Sequence, residues 1–130
     1  MEDILRDIRD NSIKEAYFDA MKSLRSEMPY ISTDEVIKEI MKKPAPRFFI
    51  SYENARRIVS LMSRGKTVRI ANENKKKMYT DLYNAYMNCK SQMNIPGFCI
   101  LKYIIEQEAP SYYVSLFTMR GIVYKSIKSK

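Results

Sequence analysis

Histidine is absent from the 130 residues, glycine occurs only three times and cysteine only twice. The missing histidine removes the usual general base, the commonest zinc ligand and the Ser-His or Cys-His nucleophile pair. So few glycines leave no Gly-rich phosphate loop, and no zinc spacing or nucleophile elbow is present. Neither Cys89 nor Cys99 belongs to a CxxC pair. Both sit among apolar or helical neighbours and read as reduced, buried or semi-buried thiols of an intracellular protein. No apolar run approaches the ~20 residues of a membrane span, and the charged start MEDILRDIRD lacks the apolar core of a signal peptide. These absences predict a cytoplasmic, non-catalytic protein with no cofactor, no metal and no membrane contact.

What is abundant is positive charge. Lys and Arg number 23 against 15 Asp and Glu, a net charge of +8. Such a balance points toward polyanionic partners. The bland alternative is a basic protein that uses charge only to stay dispersed.

The chain also says one thing twice. Residues 45–59, APRFFISYENARRIV, align without a gap on residues 109–123, APSYYVSLFTMRGIV, 64 positions later. Identities and near-identities run through Ala45/Ala109, Pro46/Pro110, Phe48/Tyr112, Phe49/Tyr113, Ser51/Ser115, Arg56/Arg120, Ile58/Ile122 and Val59/Val123. Upstream, Val36, Ile37, Lys38, Ile40 and Met41 match Ile100, Leu101, Lys102, Ile104 and Ile105. A repeat of this kind fixes architecture before anything else, and a lone unit of about 50 residues is marginal, so the copies are expected to pack together.

Helical signals fill both copies. Residues 1–12 read as a short amphipathic helix with Ile4, Leu5 and Ile8 on one face. Ser12 with Glu15 forms a capping box, followed by Ala16, Tyr17, Ala20, Met21 and Leu24 at helical spacing. Ser32 with Glu35 opens the next helix, with Val36, Ile37, Ile40 and Met41 as its stripe; the Pro44-Ala45-Pro46 run ends it. The RFFI stretch is too short for a strand and reads as a buried connection whose rings plug the core. Ser51 then caps a helix carrying Ala55, Ile58, Val59 and Met62 and ending near Gly65. In the second copy, helices are expected over about Asn74–Gln92 and Cys99–Gln107. A third begins after Ser115, with Met119, Ile122 and Val123 inward.

Each copy is therefore a trihelical unit. The phrases ISYENARRIV (50–59) and VSLFTMRGIV (114–123) resemble the turn and recognition helix of helix-turn-helix proteins, and the resemblance covers residues 34–62 and 98–126. That resemblance implies double-stranded DNA as partner, with helices 52–64 and 116–128 in the major groove. The connection APRFFIS is longer than the motif's turn and carries a proline, a departure from the pattern. The paired phrases also resemble small uncharacterised proteins of Bacteroidales phages and mobile elements, implying an accessory protein of such an element and no functional residue.

The expected fold is all-α: a short N-terminal helix (1–12), trihelical repeats at 13–65 and 75–130, and a basic linker at 66–74, packed into one domain. The DNA-contacting set is Arg56, Arg57, Ser60, Arg64, Lys66, Arg69, Thr118, Arg120, Tyr124, Lys125 and Lys128. Arginine reads guanine in a bidentate fashion, and lysines suit phosphate oxygens. The basic linker is a solvated connection or a phosphate-contacting arm. The rival reading is a non-catalytic protein-interaction or virion-associated adaptor, with a protein partner and generic charge.

Overall fold

The computed structural model describes residues 2–66 and 72–128. Six helices are present among them: α1 Glu2–Glu27, α2 Thr33–Met41, α3 Tyr52–Ser63, α4 Glu73–Gln92, α5 Gly97–Ile105 and α6 Leu116–Lys128. No strand occurs among the described residues, and the all-α class holds. No helix among them is long and apolar enough to cross a membrane.

Local chemistry explains most boundaries. The Ser32 hydroxyl accepts from the Glu35 amide and the Ser51 hydroxyl from the Asn54 amide, both at 3.2 Å. The Ser115 hydroxyl accepts from the Thr118 amide at 3.1 Å. Each such cap satisfies an amide the first turn leaves open and contributes about 1 kcal/mol. Gly65, at φ +73°, closes α3: its amide donates to the Met62 carbonyl and the Lys66 amide to the Leu61 carbonyl, the paired bonds of a Schellman ending. The repeat is visible in the helix bounds, since α5 and α6 begin 64 positions after α2 and α3 respectively.

Ser12 is where the sequence expectation fails. It lies inside α1, which runs unbroken for 26 residues, so the separate helix at 1–12 does not exist. Neither proline nor glycine interrupts residues 2–27. A mid-helix serine costs only a few tenths of a kcal/mol, whereas starting a new helix costs a nucleation step. The apolar face also begins later than expected. Ile13, Tyr17 and Ala20 are buried, while Ile4 and Ile8 are exposed.

The helices group into two compact units, one built on Pro44–Tyr113 and the other on Asp3–Lys43 with Val114–Lys130. The first holds α3, α4 and α5; the second holds α1, α2 and α6. Each is trihelical, but neither is a continuous repeat. In both, the third helix comes from the other sequence copy: α3 packs on α4 and α5, and α6 packs on α2. The reason lies in the ten residues between α2 and α3, 42–51, whose prolines and lack of glycine favour extension over a tight turn. Extended, that stretch reaches about 30 Å. The departure from the helix-turn-helix turn is thus what an exchange of third helices requires.

The core of the first unit is Ala55, Ile58 and Val59 from α3, Tyr79 and Leu82 from α4, and Ile100, Leu101, Ile104 and Ile105 from α5. Between helices the connecting segments pair. Ala45 and Ala109 form an antiparallel bridge, Phe48 stacks on Tyr113 (6.2 Å, 15°) and Phe49 stacks on Tyr112 (6.1 Å, 11°). Since Phe48 matches Tyr112 and Phe49 matches Tyr113 in the repeat, each ring stacks on the counterpart of its neighbour. Within these segments that crossed pairing is a local two-fold relation. The reading of RFFI as a buried connection holds for Phe48 and Ile50, with Phe49 half-buried. In the second unit the core is Ile13, Tyr17 and Ala20 of α1, Ile31, Val36, Ile37 and Ile40, and Met119 and Val123 of α6.

Candidate nucleic-acid interface

On α3 the buried stripe Ala55, Ile58 and Val59 turns Arg56 and Arg57 outward, because a 3.6-residue period puts positions one and two steps past a buried residue on other faces. Arg57 Nη2 donates to Asn54 Oδ1 at 2.8 Å and Arg64 Nη2 to Ser60 Oγ at 2.6 Å. Both acceptors are neutral. These bonds orient the guanidinium groups without cancelling their charge. Lys66 is exposed just past the helix. Glu53 is the lone acidic residue of α3 and sits in its first turn, where it offsets the positive end of the helix dipole. Arg56 and Arg57 within α3, Arg64 at its C-cap and Lys66 just past it therefore give this part of the chain a positive surface. Arg69 lies outside the described residues.

The expected readers on α6 have a different situation. Thr118 is exposed, but its amide and hydroxyl are both taken by Ser115: the amide donates to Ser115 Oγ, and Ser115 Oγ donates to Thr118 Oγ1 at 3.0 Å. Arg120 Nε lies 3.2 Å from Asp34 Oδ1, and the Tyr124 hydroxyl donates to the same oxygen at 3.1 Å. One turn apart on α6, the two side chains converge on the first turn of α2. The Tyr124 hydroxyl is held above its ordinary pKa, first by this bond, then by desolvation and the Asp34 charge; Arg120 opposes the shift. The pair is close to half exposed, so the ion pair contributes about 1 kcal/mol or less. Lys125 lines a small cleft with Asp7, Asp10 and Lys14 of α1, where charges of both signs meet. Lys128 is exposed at the end of α6.

The sequence set thus divides. Arg56, Arg57, Ser60, Arg64 and Lys66 belong to the unit of α3, α4 and α5, while Thr118, Arg120, Tyr124, Lys125 and Lys128 belong to the unit of α1, α2 and α6. Asp34, an acid in the first turn of α2, carries no sequence signal that pairs it with residues 86 and 90 positions away. Cys99 also departs from expectation: α5 starts at Gly97, two residues early, and places this thiol on the exposed face of the first turn. Cys89 is half-buried, its Sγ 3.1 Å from Met93 Sδ.

A second feature of the α3 unit was not foreseen. Tyr52, half-exposed at the start of α3, has the Lys102 ammonium 5.3 Å from its ring centroid. Beside it opens a cleft of about 480 Å³ between α3, α4 and α5, lined by aromatic and cationic side chains. Two of its rings, Tyr83 and Tyr86 of α4, are half-buried. No protein family, curated protein or solved structure matches the chain.

Proposed function

We propose that the protein binds double-stranded DNA, with α3 as its principal contact. The observation that carries this reading is the positive charge along that helix and just past it. Arg56, Arg57, Arg64 and Lys66 are exposed within eleven residues, and the hydrogen bonds of Arg57 and Arg64 go to neutral partners. Such a surface binds phosphate oxygens, and an arginine on an outward helical face reads guanine in the major groove. Lys125 and Lys128 supply further phosphate contacts from α6. Arg120 and Tyr124 reach DNA only in competition with Asp34, so they rank below the α3 set. The corresponding role is a transcriptional regulator or an architectural factor, with Arg69 and the basic linker adding positive charge.

A mobility-shift titration on random duplex at two salt concentrations tests this. Affinity is expected to fall steeply with salt, log K following log[salt] with a slope of about −0.9 per phosphate neutralised. Absence of a shift at low salt would sink the reading. The second reading, an adaptor for a protein partner, draws on the apolar side chains left in solvent: Phe117 is 86% exposed and Tyr30 98%. An interface centred on those rings would respond little to salt.

A further inference from the structure

The cleft of the α3 unit joins cationic and aromatic side chains. Arg56 of α3 and Lys90 of α4 supply its positive charge; Tyr83 and Tyr86 of α4 and Phe98 of α5 supply rings; Gly97 forms part of its wall. No acidic residue lines it. Its volume of about 480 Å³ falls within the ordinary range for small-ligand sites. We infer that this cleft binds one nucleotide unit, a planar base together with its phosphate.

Each part of the ligand has a counterpart. Phe98 is 56% exposed, an unusual position for a phenyl ring, and a base stacked on it would remove that area from water. The Lys90 ammonium already sits 5.8 Å from the Tyr86 ring centroid, which holds a positive charge at the cleft wall. Arg56 brings a guanidinium from the facing helix, suited to two phosphate oxygens at once. Gly97 leaves room for the Tyr86 hydroxyl: a Cβ there would stand 2.6 Å from that oxygen, so any other residue displaces the ring's polar end. The first turn of α5 adds to the same polarity, as Pro96 at its cap position makes no side-chain bond and no acid lies in that turn.

This site is distinct from the duplex surface, with which it shares Arg56 and Ser60. A nucleotide has two sources, the free molecule and an unpaired position in a strand, and the test keeps them apart. The full chain, labelled with ¹⁵N, is titrated with AMP, with adenosine, with inorganic phosphate and with a short single-stranded oligo(dA). Gly97 is one of three glycines in the protein, so its amide is a clean reporter. It should shift on titration while Gly65 and Gly121 stay still.

AMP is expected to bind more tightly than adenosine or phosphate alone. Phe98→Ala and Lys90→Glu should each weaken it by about fivefold or more, while Lys38→Glu, an equal charge change at an exposed position of α2, should not. Binding of oligo(dA) alone, with the same response to Phe98→Ala, supports the site and assigns it to strands. No Gly97 shift with either ligand overturns the proposal, as does AMP binding that ignores both cleft variants or that phosphate matches. Phe98 and Lys90 are exposed, so an unchanged melting temperature for their variants shows the fold intact. Loss of duplex binding with AMP binding retained, or the reverse, separates this inference from the duplex reading.

Discussion

Ala45 and Ala109, equivalent positions of the two sequence copies, exchange both backbone hydrogen bonds, each 2.9 Å from nitrogen to oxygen. Both side chains are essentially fully buried, so these amides have no water to fall back on. The bridge lies within the first unit and joins the segment between α2 and α3 to the segment between α5 and α6, flanked by the crossed stacks of Phe48, Phe49, Tyr112 and Tyr113. Because the pair is reciprocal, breaking it from either side removes one bond and orphans one carbonyl. Ala45→Pro and Ala109→Pro should each destabilise the protein by about 1–3 kcal/mol, and by similar amounts, in urea denaturation. A large inequality between them would show that the two segments are not energetically equivalent.

Tyr113 is the lone non-glycine residue at positive φ among those described, at +56°. An aromatic residue in the left-handed region costs roughly 1–2 kcal/mol and persists where its surroundings over-determine it. Here the amide donates to Ser111 Oγ at 3.0 Å and the hydroxyl donates to Asp81 Oδ2 at 2.7 Å. Tyr113→Phe should therefore cost about 1–2 kcal/mol, read as a lowered melting temperature, by stripping the Asp81 bond while keeping the stack on Phe48.

The same hydroxyl gives a pH signature. Burial, the bond to Asp81 and the Asp81 charge, in that order, push its pKa far above the ordinary value of 10.0. The unfolded chain therefore loses this proton first as pH rises. Stability from this group is complete below about pH 10 and falls above it, with a limiting slope of about 1.4 kcal/mol per pH unit. Denaturation series from about pH 9 to 11.5, which bracket the unfolded tyrosine pKa, should show a steeper decline for the wild type than for Tyr113→Phe. Parallel curves would mean that the hydroxyl titrates normally.

Asp34 contacts Arg120 and Tyr124 of α6, and under the proposed function it competes with DNA for both groups. Asp34→Asn keeps acceptors for Arg120 and Tyr124 while removing the charge, so stability should change by less than about 1 kcal/mol. Duplex affinity should rise, by up to about fivefold at low salt. Unchanged or weakened binding in the mobility-shift assay would place α6 away from the duplex.

Arg56→Ala should weaken duplex binding and flatten the salt dependence by about 0.9 in log-log slope, the change expected when one fewer phosphate is neutralised. Arg120→Ala should do less, since its charge is already partly met by Asp34. Both are exposed, so the melting temperature of the double variant should stay near that of the wild type. A large loss of stability instead would reassign these arginines to the fold.

Buried positions offer a contrast that tests the register of α1. Ile13→Ala, at a fully buried site, should cost about 2–5 kcal/mol, whereas Ile8→Ala, 45% exposed, should cost less than about 1. Equal effects would contradict an inward face made of Ile13, Tyr17 and Ala20.

Much of the helical layout was legible in the chain. Ser32 and Ser51 cap the expected helices, the Pro44-Ala45-Pro46 run ends α2, and Val36, Ile37, Ile40, Ile58, Ile100, Leu101 and Val123 are inward as their spacing required. These outcomes depend on neighbours within four residues, where hydrogen-bond geometry and periodicity leave few choices. Ser12 shows the limit even there. A capping signal opens a helix only if something has closed the previous one, and nothing before Ser12 does.

The chain alone thus dictated which segments become helices, where most of them stop and which sides turn inward, because those are decided by short-range sterics and the burial of apolar stripes. It left open which helix each stripe would be buried against. Copies with apolar residues at matching positions present similar stripes, so α3 can be covered by helices of either copy, and local chemistry does not distinguish them. Tertiary structure made that choice, pairing α3 with α4 and α5 and α6 with α2. The physical reason is the length and stiffness of the connecting segments and the mutual burial of Ala45 with Ala109. From the same choice follow the contact of Asp34 with Arg120 and Tyr124 and the aromatic, cationic cleft beside Arg56.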